Sequence, residues 1–193
     1  MNFLKNTVLY LGLSVALYSF PANMLFASTI GPIAYCTGAP NDNGTCNADG
    51  CHNSFNLNSG NAIFSIMAPD TYTPGKTMKI EVSFNGSGGE RHGFEMTALD
   101  ANGNRVGTFK KIGNTTQVIS PNDYRGLEQA DKGKYIEHTF KGTKKKSWKI
   151  KWKSPGGAAD PITFYAAGCE ADGDGNSTND RIYTATAETS STP

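Results

Sequence analysis

Two cysteines and a histidine in the segment 46–52 have the clearest chemistry in this chain: Cys46, Cys51 and His52. A pair of cysteines followed at once by a histidine is the pattern that attaches haem covalently. The two sulfurs form thioethers with the porphyrin, and the histidine binds the iron as proximal ligand. The usual spacing is Cys-x-x-Cys-His, whereas four residues separate the cysteines here. The segment therefore predicts one haem c, held by a wider loop.

Two other uses of these cysteines compete with haem attachment. A disulfide between Cys46 and Cys51 is geometrically feasible across four residues, and it needs nothing from His52. A zinc site needs four ligands at about 2.0–2.3 Å, and no second cysteine–histidine pair stands at the spacing of a zinc finger. Haem attachment is the interpretation that uses all three residues, and the other two stay open.

The iron of a haem bound by His52 needs a sixth ligand or an open position, and this choice tunes its reduction potential. The sequence contains two further histidines. His138 lies on the apolar side of a predicted strand and is the expected distal ligand. His92 and Met96 share the apolar face of another predicted strand and are less favoured. A lone histidine on such a face is commonly a core residue instead.

Residues 1–27 have the features of a secretory signal peptide. Lys5 precedes an apolar run that extends from Val8 to Phe20, and Ala27 offers a small residue before a cleavage point. The run is short for a membrane span, so we expect no stable span after cleavage. Export to the periplasm or the cell surface permits both haem attachment and disulfide formation.

The composition of the mature chain limits the classes of partner and function to be expected. Its length of about 166 residues suits one domain with its own core. Without Lys5 it carries 17 basic and 17 acidic side chains, so its charge gives no reason to expect nucleic acid as a partner. No pairing of a nucleophile with a base and no glycine-rich phosphate loop indicates an enzyme.

Alternating apolar and polar residues predict an all-β fold. Residues 28–60 show no periodicity and read as a loop-rich N-terminal segment, which forms one domain with a sandwich over residues 61–193. No helix-period stretch of useful length follows the signal peptide, and turn signals separate the strands. The predicted strands cover residues 61–67, 76–84, 91–99, 134–140, 147–153, 161–167 and 181–187.

Several short motifs give the mature chain a resemblance to Reeler-like secreted domains, and in particular to the bacterial branch called "choice-of-anchor V". The shared segments are TGAP at 37–40, GTC at 44–46, CH at 51–52, YTPG at 72–75, GFEMTALD at 93–100, YIEHT at 135–139, Trp152, FYAAG at 164–168 and DRIY at 180–183. The resemblance implies an immunoglobulin-like β-sandwich at the cell surface or in the periplasm, without an established enzymatic activity. Bacterial relatives typically carry Cys-x-x-Cys-His, so this chain differs by two inserted residues.

The resemblance also bears on the two remaining cysteines. Cys36 and Cys169 occupy positions where the family pattern usually has neither, and two extra cysteines in one exported chain pair most simply with each other. Their disulfide would close a long loop and contribute about 4–5 kcal/mol in the chain-entropy model.

Two charged segments have weaker interpretations. The loop Asp172–Asp180 offers oxygen atoms at alternate positions, as a calcium loop does, but Ser177 and Tyr183 stand where an EF-hand needs glycine and glutamate. A polar turn is the favoured interpretation. Lysines at 144–146, 149, 151 and 153 could steer an acidic redox partner, although a solvated face that protects a sheet edge is the simpler explanation.

The sequence therefore supports two hypotheses about function. In the first, the protein is an exported monohaem cytochrome that passes single electrons to a redox partner protein or to neighbouring cytochrome subunits, as a shuttle or as one unit of an assembly. In the second, it is a haem-free, disulfide-stapled interaction or adhesion domain.

Overall fold

A computed structural model describes residues 28–192, so the predicted signal peptide lies outside the described residues. Ten strands and two short 3-10 turns, Gln129–Asp131 and Phe140–Lys144, make up its regular structure. No helix within residues 28–192 is long and apolar enough to cross a bilayer. The strands are β1 (Ile63–Met67), β2 (Thr71–Tyr72), β3 (Thr77–Asn85), β4 (Arg91–Leu99), β5 (Thr108–Lys111), β6 (Thr116–Val118), β7 (Ile136–His138), β8 (Ser147–Lys153), β9 (Ile162–Ala171) and β10 (Arg181–Ser191).

The strands form two sheets that pack as a sandwich, which confirms the predicted all-β fold. The smaller sheet has the order β1-β3-β8-β5, and the larger has the order β2-β10-β9-β4-β7-β6. All pairings are antiparallel except the short contact between β2 and β10. The central strand pairs β4–β9 and β9–β10 run in register over nine residues each.

Alternation on β8 shows why the sheets pack face to face. Trp148, Ile150 and Trp152 are buried, whereas the lysines between them are exposed. The Trp148 ring lies 4.8 Å from the ring of Phe94 on β4. The Trp152 ring lies 5.0 Å from the ring of Phe164 on β9, edge to face. Because successive side chains of a strand point to opposite faces, the aromatic face of β8 joins the two sheets into one core.

The strand β4 is buried on both faces, although its sequence alternates apolar and polar residues. Glu95 and Thr97 are as buried as Phe94 and Met96. The N-terminal segment, residues 28–60, covers this outer face, and the Glu95 carboxylate accepts hydrogen bonds from the backbone N–H groups of Tyr35 (3.1 Å) and Cys36 (3.0 Å). A loop can be buried against a sheet only where its backbone N–H and C=O groups find hydrogen-bond partners of this kind.

The predicted strand over residues 134–140 ends early. The strand β7 stops at His138, because the Thr139 hydroxyl accepts a hydrogen bond from the Gly142 N–H and begins a 3-10 turn. Phe140, which was expected to share the apolar face of His138, is 60 % exposed.

The lysines of β8 form part of a row that the sequence pattern did not reveal. Lys79 on β3, Lys151 on β8 and Lys110 on β5 stand directly opposite one another in register. All three side chains are exposed. Because β8 lies between β3 and β5, it is not an edge strand, and protection of an edge does not explain its lysines.

Candidate functional site

The candidate site is a groove on the outer face of the larger sheet, beneath the N-terminal segment. On β4 and β9 the outer face carries Gly93, Glu95 and Cys169, since their neighbours Phe94 and Gly168 point into the core. The groove encloses a mainly apolar cavity of about 90 Å³. It gathers most of the residues singled out from the sequence: Cys46, His52, His92, His138 and Cys169.

The segment from Cys46 to His52 forms a compact turn. The Cys51 N–H donates to the Ala48 carbonyl (2.9 Å), and the His52 N–H donates to the Cys46 carbonyl (3.0 Å). Gly50 has a φ of 80°, a backbone conformation that residues with a side chain rarely adopt. The two residues inserted relative to Cys-x-x-Cys-His are thus absorbed by a closed turn, and Cys46 and His52 both reach the groove.

His52 is held by a carboxylate from the far end of the chain. Its Nδ1 lies 2.7 Å from Oδ2 of Asp180 at the start of β10. Asp180 is fully buried, whereas the His52 side chain is 17 % exposed. Cys169 completes this group, because the ligand atoms of the three residues lie within 4.8 Å of one another. It is the one such group of three or more potential metal ligands within residues 28–192.

The cysteines influence one another electrostatically: Cys36 acts on Cys46 and Cys51, and Cys169 acts on Cys46. A hydrogen bond from the Cys46 thiol lowers the pKa of Cys36, and the same contact, together with desolvation, raises the pKa of Cys46 well above its usual range. Desolvation raises the pKa of Cys169 well above its usual range too. All four cysteines are free thiols. The predicted Cys36–Cys169 disulfide stays a prediction, and Cys46 is the neighbour with the largest effect on the pKa of Cys36.

His138 reaches the groove from β7 and lies against Gly93. A Cβ atom on Gly93 would stand 2.6 Å from Cε1 of His138, so a glycine is required for this ring position. The His138 Nδ1 lies 3.1 Å from the Phe94 nitrogen and 3.2 Å from the Phe94 carbonyl oxygen. Desolvation lowers the pKa of His138 to about 4. The imidazole is therefore neutral at ordinary pH, which is the form that binds metals.

The two less favoured iron ligands have other partners. The Nε2 of His92 lies 2.5 Å from the Ser87 hydroxyl, and its ring packs on Phe84 at 5.2 Å. Desolvation lowers the pKa of His92. Met96 is fully buried in the core between the sheets and does not line the groove. His92 has the surroundings of a satisfied core histidine, and Met96 those of a packing residue.

The loop suggested as a calcium site is a series of turns. The Asp172 side chain accepts a hydrogen bond from the Asp174 N–H, and the Asp174 side chain accepts one from the Asn176 N–H. Each carboxylate is thereby used to bend the backbone. The loop ends at Asp180, so its structural result is to place that carboxylate against His52.

Comparison with known proteins agrees with the sandwich and its motifs. The family described as "Reeler domain" matches residues 44–172, about two thirds of the chain. The chain belongs to the Reeler domain family. A search of curated proteins finds no match. The Reeler match includes Cys46, Cys51 and His52, whereas Cys36 and Asp180 lie beyond its ends.

Sequence reasoning missed the two residues that organise this Reeler site. In the sequence Glu95 is only one polar residue of an alternating strand, and Asp180 is only the end of a polar turn. Asp180 stands 128 positions from His52, and no local pattern reports a contact of that separation. The one available signal was the shared DRIY segment, which begins with Asp180.

A pH dependence of stability follows from Glu95. Desolvation raises the pKa of Glu95 well above its ordinary value of 4.5, so the folded protein keeps a proton that the unfolded chain releases. The stabilisation is complete below the unfolded pKa and is lost as pH rises through the folded pKa. We expect the free energy of unfolding to fall as the pH rises above the ordinary glutamate pKa of 4.5 toward the raised pKa of folded Glu95, as measured by urea denaturation.

The Glu95→Gln variant should make this decline less steep, because glutamine does not titrate. The part of the decline that comes from Glu137, whose pKa desolvation raises to about 8, should remain. The exposed Glu188→Gln variant on β10 is the matched control and should retain the wild-type slope. A decline in Glu95→Gln as steep as that of the wild type would show that another group carries the effect.

Proposed function

We propose that this Reeler domain is an exported monohaem c-type cytochrome that transfers single electrons and has no catalytic chemistry of its own. Cys46 and Cys51 would hold the haem through thioethers, His52 would be its proximal ligand, and His138 its distal ligand. The observation that carries the proposal is the hydrogen bond between His52 Nδ1 and the fully buried Asp180 carboxylate. Histidines that bind metals characteristically donate their second ring N–H to such a group.

The buried charge of Asp180 is one reason why the site suits a haem. A buried carboxylate is costly unless a partner compensates its charge, and His52 is its one ion-pair partner among residues 28–192. A cationic iron on Nε2 of His52 would supply that compensation through the imidazole. The apolar lining of the groove suits the porphyrin as well. Cys46, His52, His138 and the apolar lining therefore suit a haem, which would supply a one-electron iron couple, whereas Cys51 does not line the groove.

The size of the groove limits how deeply a haem would be buried. Its cavity of about 90 Å³ is smaller than the ~300–1,000 Å³ of pockets that enclose a ligand. Ser28, Thr29 and Pro32 form part of its wall, so this stretch would have to move outward for the macrocycle. A haem that stays partly accessible suits transfer to a protein partner.

A single haem serves transfer between neighbours, so we propose a redox partner protein or adjacent cytochrome subunits. Covalent haem attachment takes place outside the cytoplasm, which agrees with the predicted signal peptide and with a periplasmic or cell-surface location. Membership of the "choice-of-anchor V" branch belongs to the same proposal.

Haem attachment is tested by exporting the full chain from cells that contain a cytochrome c maturation system. We expect a Soret band and the added mass of one haem on a peptide that contains Cys46 and Cys51. The Cys51→Ser variant should lose covalent haem, because one of the two attachment sulfurs is removed. Visible spectra and mass spectrometry of the purified proteins provide the readout.

Cys169→Ser is the matched control, since Cys169 borders the same groove but is not a proposed attachment point. It should retain covalent haem at the wild-type stoichiometry. A folded wild-type protein without a Soret band and without haem mass would refute the cytochrome and favour the haem-free interaction domain. Oxidised cysteines in that protein would identify its disulfides.

A further inference from the structure

Asp180 makes a contact with His52 that goes beyond packing. Its Oδ2 faces Nδ1 of His52 at 2.7 Å, and its Oδ1 accepts a hydrogen bond from the Asp172 N–H at 3.2 Å. Both oxygens are thereby occupied, and the side chain is fully buried. The carboxylate has little freedom to move away from the imidazole.

A second tie keeps the two segments aligned. The Asn179 N–H donates to the hydroxyl of Ser54, at 3.1 Å. Asn179 immediately precedes Asp180, and Ser54 follows His52 by two residues. Asn179 also has a φ of 64°, in the left-handed region that asparagine tolerates. The turn before β10 and the turn after Cys51 are therefore joined at two points.

The contact determines which nitrogen of His52 carries the proton. An ionised carboxylate can only accept hydrogen bonds, so the Nδ1 of His52 must be the donor. In a neutral imidazole the other nitrogen, Nε2, then has the free lone pair.

We propose that Asp180 is a positioning residue that selects the Nδ1–H tautomer of His52 and thereby presents Nε2 to a haem iron. The proposal rests on the proposed cytochrome function for its effect on the iron. The buried negative charge behind the ligand stabilises ferric over ferrous iron, so it lowers the reduction potential. The tautomer itself is a property of the protein chain alone.

Two variants separate the hydrogen bond from the charge. Asp180→Asn keeps an oxygen acceptor for Nδ1–H but removes the charge, whereas Asp180→Ala removes both. Asp174→Asn is the matched control, because Asp174 lies on the same loop, is exposed, and bonds only to its own turn. Circular dichroism and thermal unfolding establish that each variant is folded.

The first readout uses the protein before haem is attached. Nitrogen-15 NMR of the ring atoms should show a protonated Nδ1 and a bare Nε2 for His52 at neutral to alkaline pH. Asp180→Ala should lose this preference, and Asp174→Asn should keep it. Wild-type His52 in the Nε2–H form, or an unchanged tautomer in Asp180→Ala, would overturn the proposal.

The second readout is the midpoint potential of the haem-loaded proteins. Asp180→Asn should have a higher potential than the wild type, and Asp174→Asn should show little change. Equal potentials for Asp180→Asn and Asp174→Asn would overturn the proposal even if Asp180→Ala failed to fold. A wild type that binds no haem would refute the cytochrome function, while the NMR result would still decide the role of Asp180 toward His52.

Discussion

Replacing Trp148 with alanine is expected to lower the free energy of unfolding by about 3–5 kcal/mol. Trp148 is 1 % exposed and packs between the sheets against Phe94 and Phe84. Its Nε1–H also donates to the Gly142 carbonyl at 3.2 Å. The loss leaves a cavity at the junction of the sheets and removes one of two hydrogen bonds to the Gly142 carbonyl, which keeps the bond from the Lys145 N–H. Since single domains have a total stability of about 5–15 kcal/mol, part of the population should unfold.

Equilibrium denaturation with urea measures this loss. Trp148→Phe should lose much less stability than Trp148→Ala, because the phenyl ring fills most of the space in the core. Its recovery should be incomplete, because phenylalanine cannot donate the hydrogen bond. The exposed neighbour Lys149 offers a control, and Lys149→Ala should change stability by less than about 0.5 kcal/mol. A loss for Trp148→Ala as small as that of Lys149→Ala would mean that the two sheets do not depend on this contact.

In the proposed cytochrome, replacing His138 with alanine is expected to convert the oxidised haem from low spin to high spin. The ring lies in the same groove as His52 and Cys46, and its neutral form is available as a ligand. Coordination would use the nitrogen that faces away from the Phe94 backbone. Without it the iron would have a weak ligand or an open position. Visible absorption and electron paramagnetic resonance of the oxidised protein report the spin state.

His92→Gln is the control for this experiment, because His92 borders the groove but is bonded to Ser87. Its low-spin spectrum should be unchanged. A low-spin spectrum that survives in His138→Ala would remove His138 as the distal ligand. Loss of the low-spin spectrum in His92→Gln alone would assign the iron to His92 instead.

Alternation was enough to predict the fold because long strands with one buried face carry that pattern in their side chains. The bounds of β4 and β8 were predicted to the residue, and both lie in the middle of a sheet. Three short strands, β2, β5 and β6, were missed. They contain two to four residues, which is too few to establish a period of two.

The site was predictable only where its residues are neighbours in sequence. Cys46, Cys51 and His52 form a local motif, and the structure keeps them in one turn. The contact of His52 with Asp180 and the burial of Glu95 depend on how the N-terminal segment lies over the larger sheet. The sequence of a loop without periodicity does not indicate which face of a sheet the loop covers. These contacts could therefore be found only in the three-dimensional structure.

The row formed by Lys79, Lys151 and Lys110 would orient the domain against an acidic surface. The row lies on the outer face of the smaller sheet, and the groove with His52 lies on the outer face of the larger sheet, across the sandwich. An acidic surface attracted to the lysines would therefore hold the molecule with its groove pointing outward. Charge would immobilise one side of the protein while the other side stayed open to a second molecule. The two faces could then be occupied at once without competing.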